Sequence, residues 1–141
     1  MSQKVYLDSS VLVRFLFNEP GERISLKEND EIYSSELIEI EVFRTLESAY
    51  LIKRISEGEY SQKCIEATEF ISGISVIPLN REVLKKAASS FPFVIRTLDA
   101  IHVATAQWLK DELSENIIFC THDERQGNAA ISRRLLVKGI R

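Results

Sequence analysis

The sequence lacks the residue patterns that mark several protein classes. Its two cysteines, Cys64 and Cys120, lie far apart and outside any C-x-x-C pair, which excludes a disulfide framework and a thiolate zinc site. Both are expected as buried apolar fillers. Only 5 Gly and 3 Pro occur, too few for a fibrous or low-complexity chain. No apolar run approaches the roughly 18 residues of a spanning helix, and no basic segment leads an apolar one at the start. A cytoplasmic protein without membrane contact is expected. No G-x-G-x-x-G follows the first strand candidate, which removes a dinucleotide-binding reading. The two histidines, His102 and His122, form no H-x-x-x-H pair and are taken as structural residues or as outer partners of a site.

What is present fits one domain spanning residues 1–141, with 45% hydrophobic and 28% charged residues. A chain of this size buries roughly two-thirds of its unfolded surface. Val5-Tyr6-Leu7 reads as a buried strand that stops at Asp8. Ser9 or Ser10 can then cap a helix carrying Val11, Leu12, Phe15 and Leu16. The polar segment 22–30 reads as short helix and loop, and 32–34 as a brief strand. Ser35 is the expected cap of a long helix running to about Ile55 and ending near Gly58. A helix over 59–72 stopped by Gly73, a strand over 74–79 and a helix over 81–89 follow. Phe91-Pro92-Phe93 forces a turn or extended segment. The later elements are a nearly all-apolar helix over 99–110, a strand over 117–121, a short helix over 126–132 and a weak strand over 135–137. Alternating strands and helices without hairpin signals indicate a parallel sheet covered on both faces. The carboxyl ends of its strands then border one crevice.

Asp8 and Asp123 fall at or just past strand ends, Asp99 opens a helix and Glu41 lies inside one. Each has a plain structural explanation: Asp8, Asp99 and Asp123 as helix caps, Glu41 as half of an ion pair with Arg44 on the same helix face. Taken together they point to a cation. Crowded carboxylates repel one another, and a hard divalent ion that prefers oxygen ligands relieves the repulsion. Magnesium keeps several waters and leaves room for phosphate. Such an ion lowers the pKa of a water and neutralises phosphate oxygens. Ser9, Ser10 and Thr121 could orient a ligand from outside. After Glu124 the chain has five basic residues and no acidic one, against a net charge of −3 overall. Arg125, Arg133 and Arg134 of this tail could hold a phosphate backbone, or simply form a solvated face.

Four pieces then match a family in order: Tyr6-Leu7-Asp8-Ser9-Ser10-Val11-Leu12; Ser35-Glu36-Leu37 with Glu41 and Arg44; Leu98-Asp99-Ala100-Ile101-His102-Val103-Ala104-Thr105-Ala106; and Phe119-Cys120-Thr121-His122-Asp123. The chain resembles the PIN-domain ribonucleases, most of all the VapC-type toxins of toxin–antitoxin pairs. The resemblance implies a three-layer α/β/α fold with a mostly parallel sheet of four or five strands. It implies RNA cleavage dependent on Mg2+ or Mn2+, with Asp8, Glu41, Asp99 and Asp123 as the acidic ligands. Thr121, Ser9 and Ser10 would be the hydrogen bonders behind them. Water would attack phosphorus in line and expel the 3′ oxygen. Partners implied are a small antitoxin and a second copy of the chain. Glu124, where many relatives are basic, dilutes the attraction for phosphate.

An aspartyl-nucleophile phosphatase would want a second carboxylate two residues after Asp8, where Ser10 stands, and a phosphate-receiver domain would want an acidic pair near the first strand. Two rivals keep the fold: a module that binds RNA or a partner without cleaving, and a housekeeping RNA-processing nuclease.

Overall fold

A computed structural model describes residues 2–21 and 24–140. Its elements are β1 (Lys4–Leu7), α1 (Ser9–Leu16), β2 (Glu31–Ser35), α2 (Leu37–Leu51), α3 (Glu57–Ser72), β3 (Ser75–Ile77), α4 (Arg81–Ala88), α5 (Thr97–Leu113), β4 (Ile118–Cys120), α6 (Glu124–Ser132) and β5 (Leu136–Lys138). Among the described residues five strands form one sheet in the order β3-β2-β1-β4-β5, and every neighbouring pair is parallel. The α/β/α expectation holds at its higher strand number.

Side-chain alternation along the two central strands divides the core. Val5 and Leu7 of β1 and Ile118 and Cys120 of β4 cluster with Val11 of α1. Tyr6 and Phe119, between them, point the other way and pack with Val103, Ala106 and Leu109 of α5 and Ala129 and Ala130 of α6. Their rings stack at 5.3 Å and are fully buried. A third cluster joins Leu12 and Leu16 of α1, Ile38, Val42 and Leu46 of α2, and Ala67 of α3. The chain leaves β1 outward through β2 and β3, then returns to the other side of β1 for β4 and β5. Strand order therefore reverses between β1 and β4, and such a reversal opens a crevice at the carboxyl ends.

Several boundaries differ from expectation for identifiable reasons. The long helix ends at Leu51, and Lys53 turns the chain with φ +62°. A new helix starts at once because Ser56 and Glu59 form a reciprocal capping box. Gly58 thus sits in the first turn of α3 instead of ending α2. Residues 24–30 are irregular, and positions 22 and 23 lie outside the described residues. Asp8 caps α1, in place of Ser9 or Ser10. Asp99 lies inside the first turn of α5, which begins at Thr97. The Ser35 hydroxyl accepts from Leu37 N–H, though Ser35 itself closes β2. Cys120 is buried, which pushes its thiol up to about 12, and Cys64 is half-buried; both are free thiols. Among the described residues no helix is long and apolar enough to cross a membrane.

Beyond β5, Gly139 has φ +102°, and a Cβ there would lie 2.1 Å from the Thr121 carbonyl oxygen. Only glycine allows the C-terminal segment to press this closely on the end of β4. Gly139→Ala should lower the unfolding free energy by at least about 2 kcal/mol in urea titrations. Gly58→Ala, with open space and a helical backbone, should raise it by up to about 1 kcal/mol.

Candidate functional site

Asp8 sits where the central strand ends, and it is 3% exposed. Its Oδ1 accepts from the Ser10 backbone N–H at 3.1 Å and from the Ser10 hydroxyl at 2.6 Å, while its Oδ2 accepts from the Thr121 hydroxyl at 2.6 Å. Those donors take three of the roughly four acceptor positions of a carboxylate and leave one on Oδ2 open. Ser10 Oγ also accepts from His122 N–H at 3.0 Å, and Thr121 Oγ1 from Asp123 N–H at 3.0 Å. The segment after β1 is thereby tied to the segment after β4. Behind them the Gln126 side chain, 1% exposed, places its amide oxygen 3.3 Å from Thr121 Oγ1.

The other three acids come from separate elements. Asp123 caps α6, accepting from Gln126 N–H at 3.0 Å, and stays exposed. Asp99 is half-buried in the first turn of α5. Glu41 projects from α2, beside the buried stripe of Ile38 and Val42. The plain explanation of Asp8 and Asp123 as caps is thus correct as far as it goes. Capping alone does not require a carboxylate, since serine or asparagine caps as well.

Charge effects link the four acids in a series, Asp8 with Glu41, Glu41 with Asp99 and Asp99 with Asp123. Burial pushes the Asp8 carboxyl up to about 6, with the Glu41 charge adding to the rise and His102, Ser10 and Thr121 opposing it. The Asp99 carboxyl is also raised, first by burial and then by the charge of Asp123, with Glu41 contributing. Among the described residues no lysine or arginine forms an ion pair with any of the four, and no three His, Cys, Asp or Glu side chains close into a ready-made ligand cage. Oxygen donors, mutual repulsion and an open Asp8 lone pair fit a hard divalent cation that keeps much of its water.

Arg44 does not serve Glu41. It is largely exposed and pairs with Glu47 at 3.2 Å, one helical turn along. The partner of Glu41 is His102, whose Nε2 lies 2.5 Å from Glu41 Oε1, and whose Nδ1 lies 2.7 Å from the Tyr6 hydroxyl. A histidine within the largely apolar helix α5, three residues after Asp99, was the available signal; so was a tyrosine two residues before Asp8.

Ser9 begins α1 and, among the described residues, makes no contact with the carboxylates. The His122 ring turns to the Gly139 carbonyl at 3.3 Å, and burial lowers its pKa. Arg133 is committed elsewhere. Its guanidinium stacks 3.9 Å over the Phe91 ring, donates to Gln107 Oε1 at 2.7 Å and Ser89 Oγ at 2.9 Å, and closes the end of α4 through the Lys86 carbonyl. Arg134 turns the chain at φ +63°, and its carbonyl accepts from Lys110 Nζ. Arg125 is exposed in the first turn of α6, two residues from Asp123, and the Arg134 side chain is exposed too.

The raised Asp8 carboxyl sets a pH dependence in metal-free protein. An unfolded aspartate loses its proton near pH 4, whereas folded Asp8 keeps it to about 6. The folded state therefore holds more protons in that interval. This contribution, on the order of 3 kcal/mol, is complete below about pH 4 and lost as pH rises through 6. Denaturant titrations in chelator from pH 4 to 8 should show wild type losing stability relative to Asp8→Asn as pH rises.

Residues 5–131 match the family model described as the PIN domain. The chain is similar to Ribonuclease VapC46 of Mycobacterium tuberculosis, 34% identical over 129 residues and covering 89% of each chain. It is also similar to Ribonuclease VapC47 of that species, 28% identical, covering 86% of this chain and 85% of that one. Among solved structures it resembles that of FitAB bound to a DNA fragment, with TM-score 0.70 and 17% identity over 95% of this chain and 93% of that one. A second is that of VapBC2 from Rickettsia felis bound to a promoter DNA fragment, with TM-score 0.68 and 13% identity over 98% of each. At those identities the structural likeness is one of fold. The family match runs from before Asp8 to beyond Asp123 and takes in all four clustered acids, so the chain belongs to the PIN-domain family.

Proposed function

We propose that this chain is a metal-dependent endoribonuclease, the toxin of a toxin–antitoxin pair, acting in the cytoplasm as a homodimer that a small antitoxin holds in check. The observation that carries the reading is the group of four carboxylates at the strand-order reversal, with no lysine or arginine paired to any of them among the described residues. Ribonuclease names on two relatives supply the reaction class, and the VapBC2 and FitAB assemblies on DNA fit a protein that works with a partner.

Asp8, Glu41, Asp99 and Asp123 would hold Mg2+ or Mn2+. When bound, the ion supplies positive charge to a phosphate and makes water more acidic. The chain's own residues supply the rest. Ser10 and Thr121 hold the Asp8 carboxylate in one orientation. Asp8 and Asp99, both with raised pKa values, shed protons before they can serve as ligands, so cation affinity rises with pH. Arg125 stands near enough to Asp123 along α6 to meet a flanking phosphate. Hydrolysis adds water to phosphorus and expels the ribose 3′ oxygen, leaving a 5′ phosphate.

The test is cleavage of a mixed RNA pool by purified, partner-free protein, with Mg2+, with Mn2+ and with chelator. Wild type should cleave only with metal, and Asp8→Asn and Asp99→Asn should each lose at least about 100-fold in rate while keeping the wild-type fold by circular dichroism. RNA binding without cleavage, unchanged by Asp8→Asn, would turn the reading to a silent binding module.

A further inference from the structure

His102 is the buried titratable group that the proposed chemistry leaves unused. It is 1% exposed, among the buried residues of α5, which are otherwise Thr105 and the apolar Ala100, Val103, Ala104, Ala106 and Leu109. Placing an imidazole there is unfavourable unless both ring nitrogens are bonded. Both are. Burial holds the Tyr6 phenol well above its ordinary pKa, so its O–H stays protonated, and the hydroxyl bonds His102 Nδ1 at 2.7 Å. A carboxylate oxygen only accepts, so Nε2 carries the proton of the bond to Glu41 Oε1.

Tyr6 makes the same point from the strand. Phenylalanine would fill its space and stack equally on Phe119. The hydroxyl adds polar bonds, among them the 2.7 Å bond to His102. Glutamate has three side-chain torsions, and freezing them when a ligand arrives costs affinity. Glu41 is already frozen: Oε1 is taken by His102, its side chain is 16% exposed, and Oε2 is left for another partner.

We propose that His102 is a positioning residue for Glu41, and that the chain Tyr6–His102–Glu41 presents one oxygen of that carboxylate, pre-oriented, to a divalent cation. This rests on the reading of Glu41 as a cation ligand. The order β1, α5, α2 gives it a further property. Tyr6 and Asp8 leave the same strand two residues apart, so β1 sets the position of one ligand directly and that of another through His102.

The test is Mn2+ binding by calorimetry on the full chain at pH 7.5, with melting curves recorded in chelator. His102→Leu should weaken binding about 10- to 100-fold, the usual effect of removing the outer partner of a metal ligand. Glu41→Gln should weaken it at least as much, and the double variant no further than Glu41→Gln alone. His102→Gln, whose amide N–H can replace Nε2–H, should bind close to wild type. His102→Asn keeps a polar group beside Tyr6 but is too short for Glu41, and should behave like His102→Leu. Wild-type affinity in the Leu and Asn variants, with binding lost in Glu41→Gln, overturns the role of His102 and leaves the cation site standing. No Mn2+ binding by wild type, or none lost in Glu41→Gln, removes the site and the proposal with it. Where His102→Leu does not fold, the Asn and Gln pair decides, and equal affinities overturn the proposal.

Discussion

A carboxylate buried at the end of the central strand must be solvated by the protein itself. Asp8 meets that demand with the Ser10 N–H, the Ser10 hydroxyl and the Thr121 hydroxyl. These are neutral donors, and they do not cancel the charge. Burial still drives the carboxyl up to about 6, and the nearby Glu41 charge pushes the same way. An arrangement of this kind is a poor device for holding a fold together, because burying an uncompensated charge is among the costlier things a protein does. It is a good device for drawing a cation. The hydroxyls keep the ligand geometry fixed while leaving the charge to be met from outside.

Topology explains why these acids meet at all. Asp8 follows β1 and Asp123 follows β4, adjacent parallel strands on either side of the strand-order reversal, so both arrive at the same crevice from distant parts of the chain. Asp99 comes from the first turn of α5, which packs on the Tyr6–Phe119 face. Glu41 has the longest route, since α2 belongs with α1 and α3 in a separate cluster. Its bond to His102 ties α2 to α5 through a polar bridge.

The parts of this arrangement legible in the sequence are those that depend on local pattern. Alternating apolar strands and helices specify the parallel sheet, and Asp8 and Asp123 announce themselves because each ends an apolar run. The Ser56-to-Glu59 capping box was equally local, yet a glycine between them, Gly58, carried the weight in the sequence reading and the helix was extended past its end. The misassignments share another cause. Arg44 and Arg133 were read by charge and position along the chain, whereas their partners were chosen in three dimensions. Arg44 found Glu47 one turn away, and Arg133 found Phe91, Gln107 and the carbonyls ending α4. The bridge of His102 to Glu41 spans 61 residues, and its bond to Tyr6 spans 96. No periodicity reports contacts at such separations. A polar residue on an apolar face says only that some partner exists.

The same reallocation changes how a nucleic acid would be held. With Arg133 bound into the junction of α4 and α6, the exposed arginine of the tail nearest in sequence to Asp123 is Arg125, beside Glu124. A polyanion approaching without a cation meets carboxylates from several elements, with Arg96 at the start of α5 as a positive charge near Asp99. At separations shorter than the Debye length, roughly 8 Å in physiological salt, that repulsion is not screened away. The cation then has two tasks in the proposed function, one in the chemistry and one in admitting the phosphate. Both would draw on the same ligands, so under the proposed function electrostatics favours the ion arriving before the RNA or with it.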